Sequence, residues 1–219
     1  MTNKHQKLFE LAQKRQTTSR AGFLNLRDFH AGFYECPFVS PWSISACNIE
    51  SSIMIVGEDW IGADTLAGPK RTDVAKLGYD PQFPTNINLF GLLGRHFQVQ
   101  FSDVYATNLF PLIKPGNSSA SISAGDLDWA TSDFLVPQIE ALSPKLIICL
   151  GVTVVRRRRK CAHLPMGANL QGLIEDPFDF LGARIEVVAH TGALGMNGRG
   201  RQQVEKDWQQ LSMRCRHLI

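Results

Sequence analysis

Two adjacent carboxylates, a carboxamide and an imidazole stand at equivalent places in this 219-residue chain, because each closes a short apolar run. Residues 53–56 run into Gly57-Glu58-Asp59, residues 104–106 into Thr107-Asn108, and residues 185–189 into His190-Thr191-Gly192. An ionised carboxylate stabilises a cationic sugar, as in glycoside hydrolysis. A carboxamide both donates and accepts, so it reads a pyrimidine edge with two hydrogen bonds. Each residue taken singly has an ordinary explanation: a helix cap, a turn, a hydrogen-bonded histidine. Their recurrence at three strand-end positions is what singles them out.

The runs 53–56, 104–106 and 146–150 are continuously apolar, 185–189 is apolar apart from Glu186, and all are bounded by polar residues or glycine, the pattern of strands buried on both faces. Helical spacing lies between them. Asn86 is placed to cap a helix carrying Leu89, Phe90, Leu93 and Phe97. Ser123 and Asp126 form a capping-box pattern, and Phe134, Leu135, Ile139 and Leu142 follow, with Pro137 kinking or splitting the helix. Residues 152–160 and 202–213 read as two more helices, the second with Val204, Trp208 and Leu211 inward. Residues 4–15 read as an amphipathic surface helix. Strand followed by helix, four times, predicts a three-layer αβα fold with a central four-stranded parallel sheet. One domain is expected over 1–219, with 1–50 as a helical or irregular extension packed on it. The long loops 60–85 and 114–125 are expected to be functional. In such sheets ligands bind at the carboxyl ends of the strands, where the polar residues fall.

Composition narrows the class. With 44% hydrophobic and 20% charged residues the chain is globular, and a net charge of +3 permits a nucleic-acid partner without requiring one. The five cysteines are odd in number and include no C-x-x-C, which argues against a disulfide framework, a zinc ribbon or an iron–sulfur site. No metal or cofactor is expected. The longest apolar stretch, 146–155, is too short to span a bilayer, and no signal-peptide core begins the chain. The expectation is a monomer in the reducing cytosol, bacterial in type, with no membrane partner. There is no G-x-x-x-x-G-K-[ST] loop, no G-x-G-x-x-G after the first strand and no G-x-S-x-G elbow.

Four segments resemble the uracil-DNA glycosylase superfamily, in the family's order. Ile53-Met54-Ile55-Val56-Gly57-Glu58-Asp59-Trp60 resembles the first signature, a strand ending G-Q-D-P-Y-H in one branch and G-E-A-P-G in another. Val104-Tyr105-Ala106-Thr107-Asn108-Leu109 resembles the strand that supplies a base-reading Asn. Residues 143–151 resemble S-P-K-x-I-x-x-L-G, and His190-Thr191-Gly192-Ala193-Leu194-Gly195 keeps the His and Leu of H-P-S-P-L-S. The chain departs from the family at Trp60 (usually Pro), at Ile61 (a Tyr that blocks thymine's methyl) and at Thr191-Gly192 (Pro-Ser). It lacks the cysteines of the iron–sulfur branch.

The resemblance implies a DNA glycosylase that flips a deaminated base from single- or double-stranded DNA and hydrolyses its N-glycosidic bond. Asp59 is then the main catalytic carboxylate, with Glu58 the competing candidate, and His190 bonds O2 of the leaving base. Gly57, Trp60, Ile61, Phe83 and Asn108 surround the base, Asn108 reading O4 and N3–H and Phe83 stacking, while Phe90 and Phe101 are core. Leu194 is the wedge that fills the vacated stack, assisted by Met196. Arg199 and Arg201 contact phosphates, and the start of the basic run 156–160 adds one or two contacts. The alternatives are a weakly active or inactive relative that binds nucleic acid or a free base, and a hydrolase of free nucleosides on the same fold.

Overall fold

The computed structural model describes residues 3–117, 119–167 and 169–219. The aliphatic runs become buried strands: β1 (Ile53–Gly57), β2 (Tyr105–Asn108), β3 (Leu146–Leu150) and β5 (Ala183–Val188), with β4 (Phe178–Phe180) before the last. Among the described residues the sheet has five strands in the order β2-β1-β3-β5-β4. Neighbours are parallel, with Gly57 beside Asn108 and Leu150 beside Val188, except that β4 runs antiparallel to β5. The four-stranded, all-parallel expectation is corrected here. The extra edge strand is three residues long and returns through Leu181-Gly182, both in the left-handed region at φ 51° and 79°. That pair makes a tight hairpin without the Asn-Gly that would flag it.

The helices are α1 (Asn3–Thr17), α2 (Ala63–Leu66), α3 (Thr72–Leu77), α4 (Pro84–Leu92), α5 (Ala124–Ala130), α6 (Val136–Leu142), α7 (Val152–Cys161), α8 (Leu170–Glu175), α9 (Ala193–Arg199) and α10 (Arg201–Cys215). Alternation along the strands feeds two cores. Met54, Val56, Ile147, Cys149, Ile185 and Val187 meet Leu127, Ile139, Val154 and Leu173 on one face. Ile53, Ile55, Leu146, Ile148 and Val188 meet Leu89, Leu92, Val204, Trp208 and Leu211 on the other. This is a three-layer arrangement. α1 lies against α6, and the buried Arg15 ties it to the following segment through the Cys36 and Phe38 carbonyls and Glu35. No described helix is long and apolar enough to cross a membrane.

Pro137 does not break its helix: Ser123 caps α5 by accepting the Asp126 N–H, a wider π turn over Thr131–Leu135 accommodates the proline, and the backbone stays helical into α6. Asn86 does not cap α4. That helix begins at Pro84, and the Asn86 amide instead donates to the Asp80 carbonyl at 2.8 Å.

The stretch 60–85 is not a bare loop, since it holds α2 and α3. Gly78 ends α3 at φ 75°, and a Cβ there would lie 1.8 Å from the Pro41 carbonyl oxygen. Gly78→Ala therefore combines left-handed strain with a backbone clash. We expect it to lower stability by at least about 2 kcal/mol, measured as a reduced urea midpoint.

Candidate functional site

A cavity of about 470 Å³, within the usual range for small-molecule sites, opens beyond the carboxyl ends of β1 and β5. Glu58, Asp59, Trp60 and Ile61 enter it from the end of β1, and His190, Leu194 and Gly195 from the end of β5. Asp80, Phe83, Thr85 and Asn86 come from the approach to α4 and its first turn, and Lys114 from the segment after β2. Both carboxylates and the imidazole meet on one rim, as the strand-end rule requires, and the exposed Leu194 joins them there.

Asp59 is mostly buried, and its Oδ2 lies 3.0 Å from the Nζ of Lys114, itself only 3% exposed. Burial pushes the Asp59 carboxyl above the ordinary carboxylate value, and the charge and hydrogen bond of Lys114 work against that rise. Glu58 borders the same cavity and makes no side-chain hydrogen bond or ion pair to a described residue. Its charge reaches His190.

His190 is held in one tautomer. The Gly192 N–H donates to Nδ1 at 3.0 Å, so in the neutral ring the proton sits on Nε2. Burial lowers the His190 pKa, Glu58 raises it and Lys114 lowers it further. The ring is a neutral donor at neutral pH. Its loop is clamped to α4 by Thr191 Oγ1 donating to the Thr85 carbonyl (2.9 Å) and Asn88 Nδ2 donating to the Thr191 carbonyl (2.8 Å).

Trp60 forms wall and does not fill the cavity: its indole N–H donates to the Gly78 carbonyl at 2.8 Å, and the ring meets Tyr34 edge-on. Phe83 stands partly exposed at the head of α4, and Ile61 is buried. Leu194 is 86% exposed.

Several expected site residues are placed elsewhere. Asn108 is buried behind the cavity and its amide is committed, Oδ1 accepting from Ser40 Oγ at 2.6 Å and Nδ2 donating to the Asp59 carbonyl at 3.0 Å. It braces the carboxylate loop and does not line the cavity. Gly57 ends β1 beneath it, where a Cβ would come within 2.7 Å of Asn108 Nδ2. Met196 is buried in the core with Trp208 and cannot act as a second wedge. Arg199 is bound by Asp207 through two contacts (2.7 and 2.9 Å) and by Gln171, which leaves its guanidinium little to offer a phosphate. Arg201 stands exposed at the start of α10. In the basic run, Arg157 and Lys160 pair with Asp128, Arg159 with Asp176, and Arg158 is buried over the Phe180 ring. Phe90 and Phe101 stack on each other at 4.5 Å away from the cavity.

Lys114 and Asn86 were missed as site residues. One signal for Lys114 was available: it follows the apolar stretch Phe110-Pro111-Leu112-Ile113, so the chain is still inside the fold when it reaches the cation. Among the described residues no group of three His, Cys, Asp or Glu side chains is placed to hold a metal ion.

Neither the family models nor the curated proteins compared with this chain give a match.

The Asp59–Lys114 pair sets up a stability cycle. Removing one partner leaves a buried charge uncompensated. Lys114→Met should cost about 3 kcal/mol, and Asp59→Asn combined with Lys114→Met should recover much of that loss. Denaturant unfolding of the two single variants and the double variant measures the coupling.

Proposed function

We propose that this protein is a DNA glycosylase of the uracil-DNA glycosylase kind, hydrolysing the N-glycosidic bond of a flipped-out, deaminated base. The observation that carries the reading is the convergence of Glu58, Asp59, His190 and the exposed Leu194 on one cavity. The resemblance of the strand-end segments supports it as well.

On this reading, Asp59 is kept ionised by Lys114 and orients water towards the anomeric carbon. Part of its charge is offset by that cation, so Glu58, which makes no side-chain hydrogen bond or ion pair to a described residue, supplies negative charge to the oxocarbenium-like sugar. His190 donates its Nε2–H to an oxygen of the leaving base as charge builds there, and one well-aimed donor of this sort is worth roughly 3 kcal/mol. Leu194 occupies the gap left by the flipped base. Its exposure beside the cavity favours a polymer substrate over free nucleosides, which would leave it without a role.

Base release from oligonucleotides carrying uracil, hypoxanthine or xanthine tests the proposal. Release should fall about 100-fold or more in His190→Ala. Glu58→Gln and Asp59→Asn compared side by side assign the two carboxylates. Salt-sensitive DNA binding with no base release from any of these substrates would instead favour a non-catalytic binding protein.

The pH dependence follows from the two shifted groups. Asp59 must lose its proton and His190 must be neutral, so activity is present at high pH and lost as pH falls. The raised Asp59 value puts the acid limb above the ordinary aspartate range, and the lowered His190 value keeps that ring neutral below its usual midpoint. Lys114 depresses both values. Lys114→Met should therefore move the acid limb of kcat/KM towards neutral pH, read from pH profiles of the two proteins.

A further inference from the structure

Glu186 interrupts the apolar run of β5, and its side chain is completely buried. It holds two arginines. Arg214 of α10 donates to it from Nε at 3.1 Å and from Nη2 at 2.6 Å, and Arg184 of β5 donates from Nε at 3.3 Å. Replacing a buried ion pair by apolar residues is often neutral, so stability alone does not account for this cluster. What it does fix is the orientation of two guanidinium forks. Among the described residues nothing accepts from Arg214 Nη1 or Arg184 Nη2, and the two side chains remain 37% and 31% exposed. Both line a cavity of about 610 Å³ between α8 and α10, which shares no lining residue with the cavity described above. Gln203, Asp207, Gln210 and Arg214 face it at helical spacing along α10. The carboxylates on its wall are already engaged: Asp207 by Arg199 and Gln203, Asp176 by Arg159, and Glu175 by the Gln171 amide. Asp179, 3.6 Å from Arg184 Nη1, is 74% exposed, where solvent screens its charge. Two cations thus share one buried carboxylate, which leaves a positive excess at their end of the groove.

We infer that the Arg184–Arg214 end of this groove binds the phosphate group of a polar ligand, at a second site apart from the proposed catalytic cavity. Arginine forks donate in fixed directions and match oxyanions with paired, charge-assisted hydrogen bonds. Two forks anchored on one carboxylate suit an anion with acceptor oxygens in several directions. A tetrahedral phosphate has them, and a planar carboxylate does not. The anchoring also keeps both cations in place before the ligand arrives, so little side-chain freedom is lost on binding. The groove is larger than a bare phosphate and runs on past Gln210 and Gln203, whose amides donate and accept. The rest of the ligand is therefore polar. A free phosphate ester and a nucleic-acid backbone share this chemistry.

Inorganic phosphate titrated into the full chain at constant ionic strength, followed through the arginine Nε–H signals in proton–nitrogen NMR spectra, tests the site. The Arg184 and Arg214 signals should shift and saturate, with a Kd on the order of 1 mM. Gln210→Glu places a carboxylate on the exposed side of the groove without touching Glu186 or its partners, and should weaken binding about tenfold or more. Arg214→Lys keeps a cation beside Glu186 but loses a fork, and should weaken binding as well. Shifts that never saturate, or saturation unchanged in Gln210→Glu, overturn the inference. AMP and an unmodified single-stranded oligonucleotide, titrated in parallel, separate the two sources. If the oligonucleotide moves these two arginine signals, the site takes a nucleic-acid backbone. If AMP alone moves them, it takes a free phosphate ester. If neither does, the inference fails. The readout involves no base release, so its failure is distinct from failure of the glycosylase reading.

Discussion

The carboxylate loop is held in place by β2 after β1 itself has ended. The Leu109 N–H donates to the Gly57 carbonyl and the Phe110 N–H to the Glu58 carbonyl, both at 2.8 Å, and the Asn108 side chain reaches the Asp59 carbonyl at 3.0 Å. Three successive carbonyls are thus fixed from one neighbouring strand. The backbone under Glu58 and Asp59 has little freedom left, and loops at strand ends rarely have such support. The close packing needs Gly57, since a side chain there would displace the brace and press on Trp42. Ser40 completes it by donating to Asn108 Oδ1, which ties the N-terminal segment to the same point.

On that platform the charges are arranged to oppose burial. A carboxylate taken out of water tends to protonate, and Lys114 counters that tendency at Asp59. The same cation disfavours protonation of His190, while the backbone N–H of Gly192 selects the tautomer. One buried lysine therefore favours the anion at one neighbour and adds to the effect of burial in favouring the neutral form of the other. On the glycosylase reading these are the forms that acid–base and electrostatic catalysis would use. The cost is a buried cation whose loss would disturb both neighbours at once.

How far the sequence led varied by element. The four short, mainly apolar runs became strands at nearly the expected residues, because such stretches bounded by polar residues or glycine have few other stable fates. The strand-end rule then located Glu58, Asp59 and His190 without any knowledge of distances, and the family resemblance added Leu194. It misjudged Asn108, because side-chain direction at a strand end is decided by whichever partners are nearest, and here those are Ser40 and a backbone carbonyl. Asn86 was read as a helix cap from its position before an apolar stripe, but Pro84 starts the helix two residues earlier and the Asn86 amide donates to the Asp80 carbonyl instead. Met196, Arg199 and most of the basic run illustrate a common ambiguity. Residue type announces a possible contact, and only packing reveals that a nearby Asp or an apolar core has already claimed it.

The turn from β5 into α9 joins two of the proposed tasks mechanically. Gly195 approaches so closely that a Cβ would lie 2.0 Å from the His190 carbonyl oxygen. Met196 anchors the same turn in the core and donates its N–H to the Gly192 carbonyl at 2.9 Å. Leu194 is therefore carried on a segment locked to the His190 backbone, even though its own side chain stands in solvent. On the glycosylase reading this matters energetically. Burying a leucine side chain is worth roughly 1.5–3 kcal/mol, about the scale of extruding a base. If Leu194 enters the stack, that gain offsets the extrusion. On that reading the rigid turn would deliver the His190 donor to the flipped base in the same motion, so that wedge and leaving-group donor would act as one body.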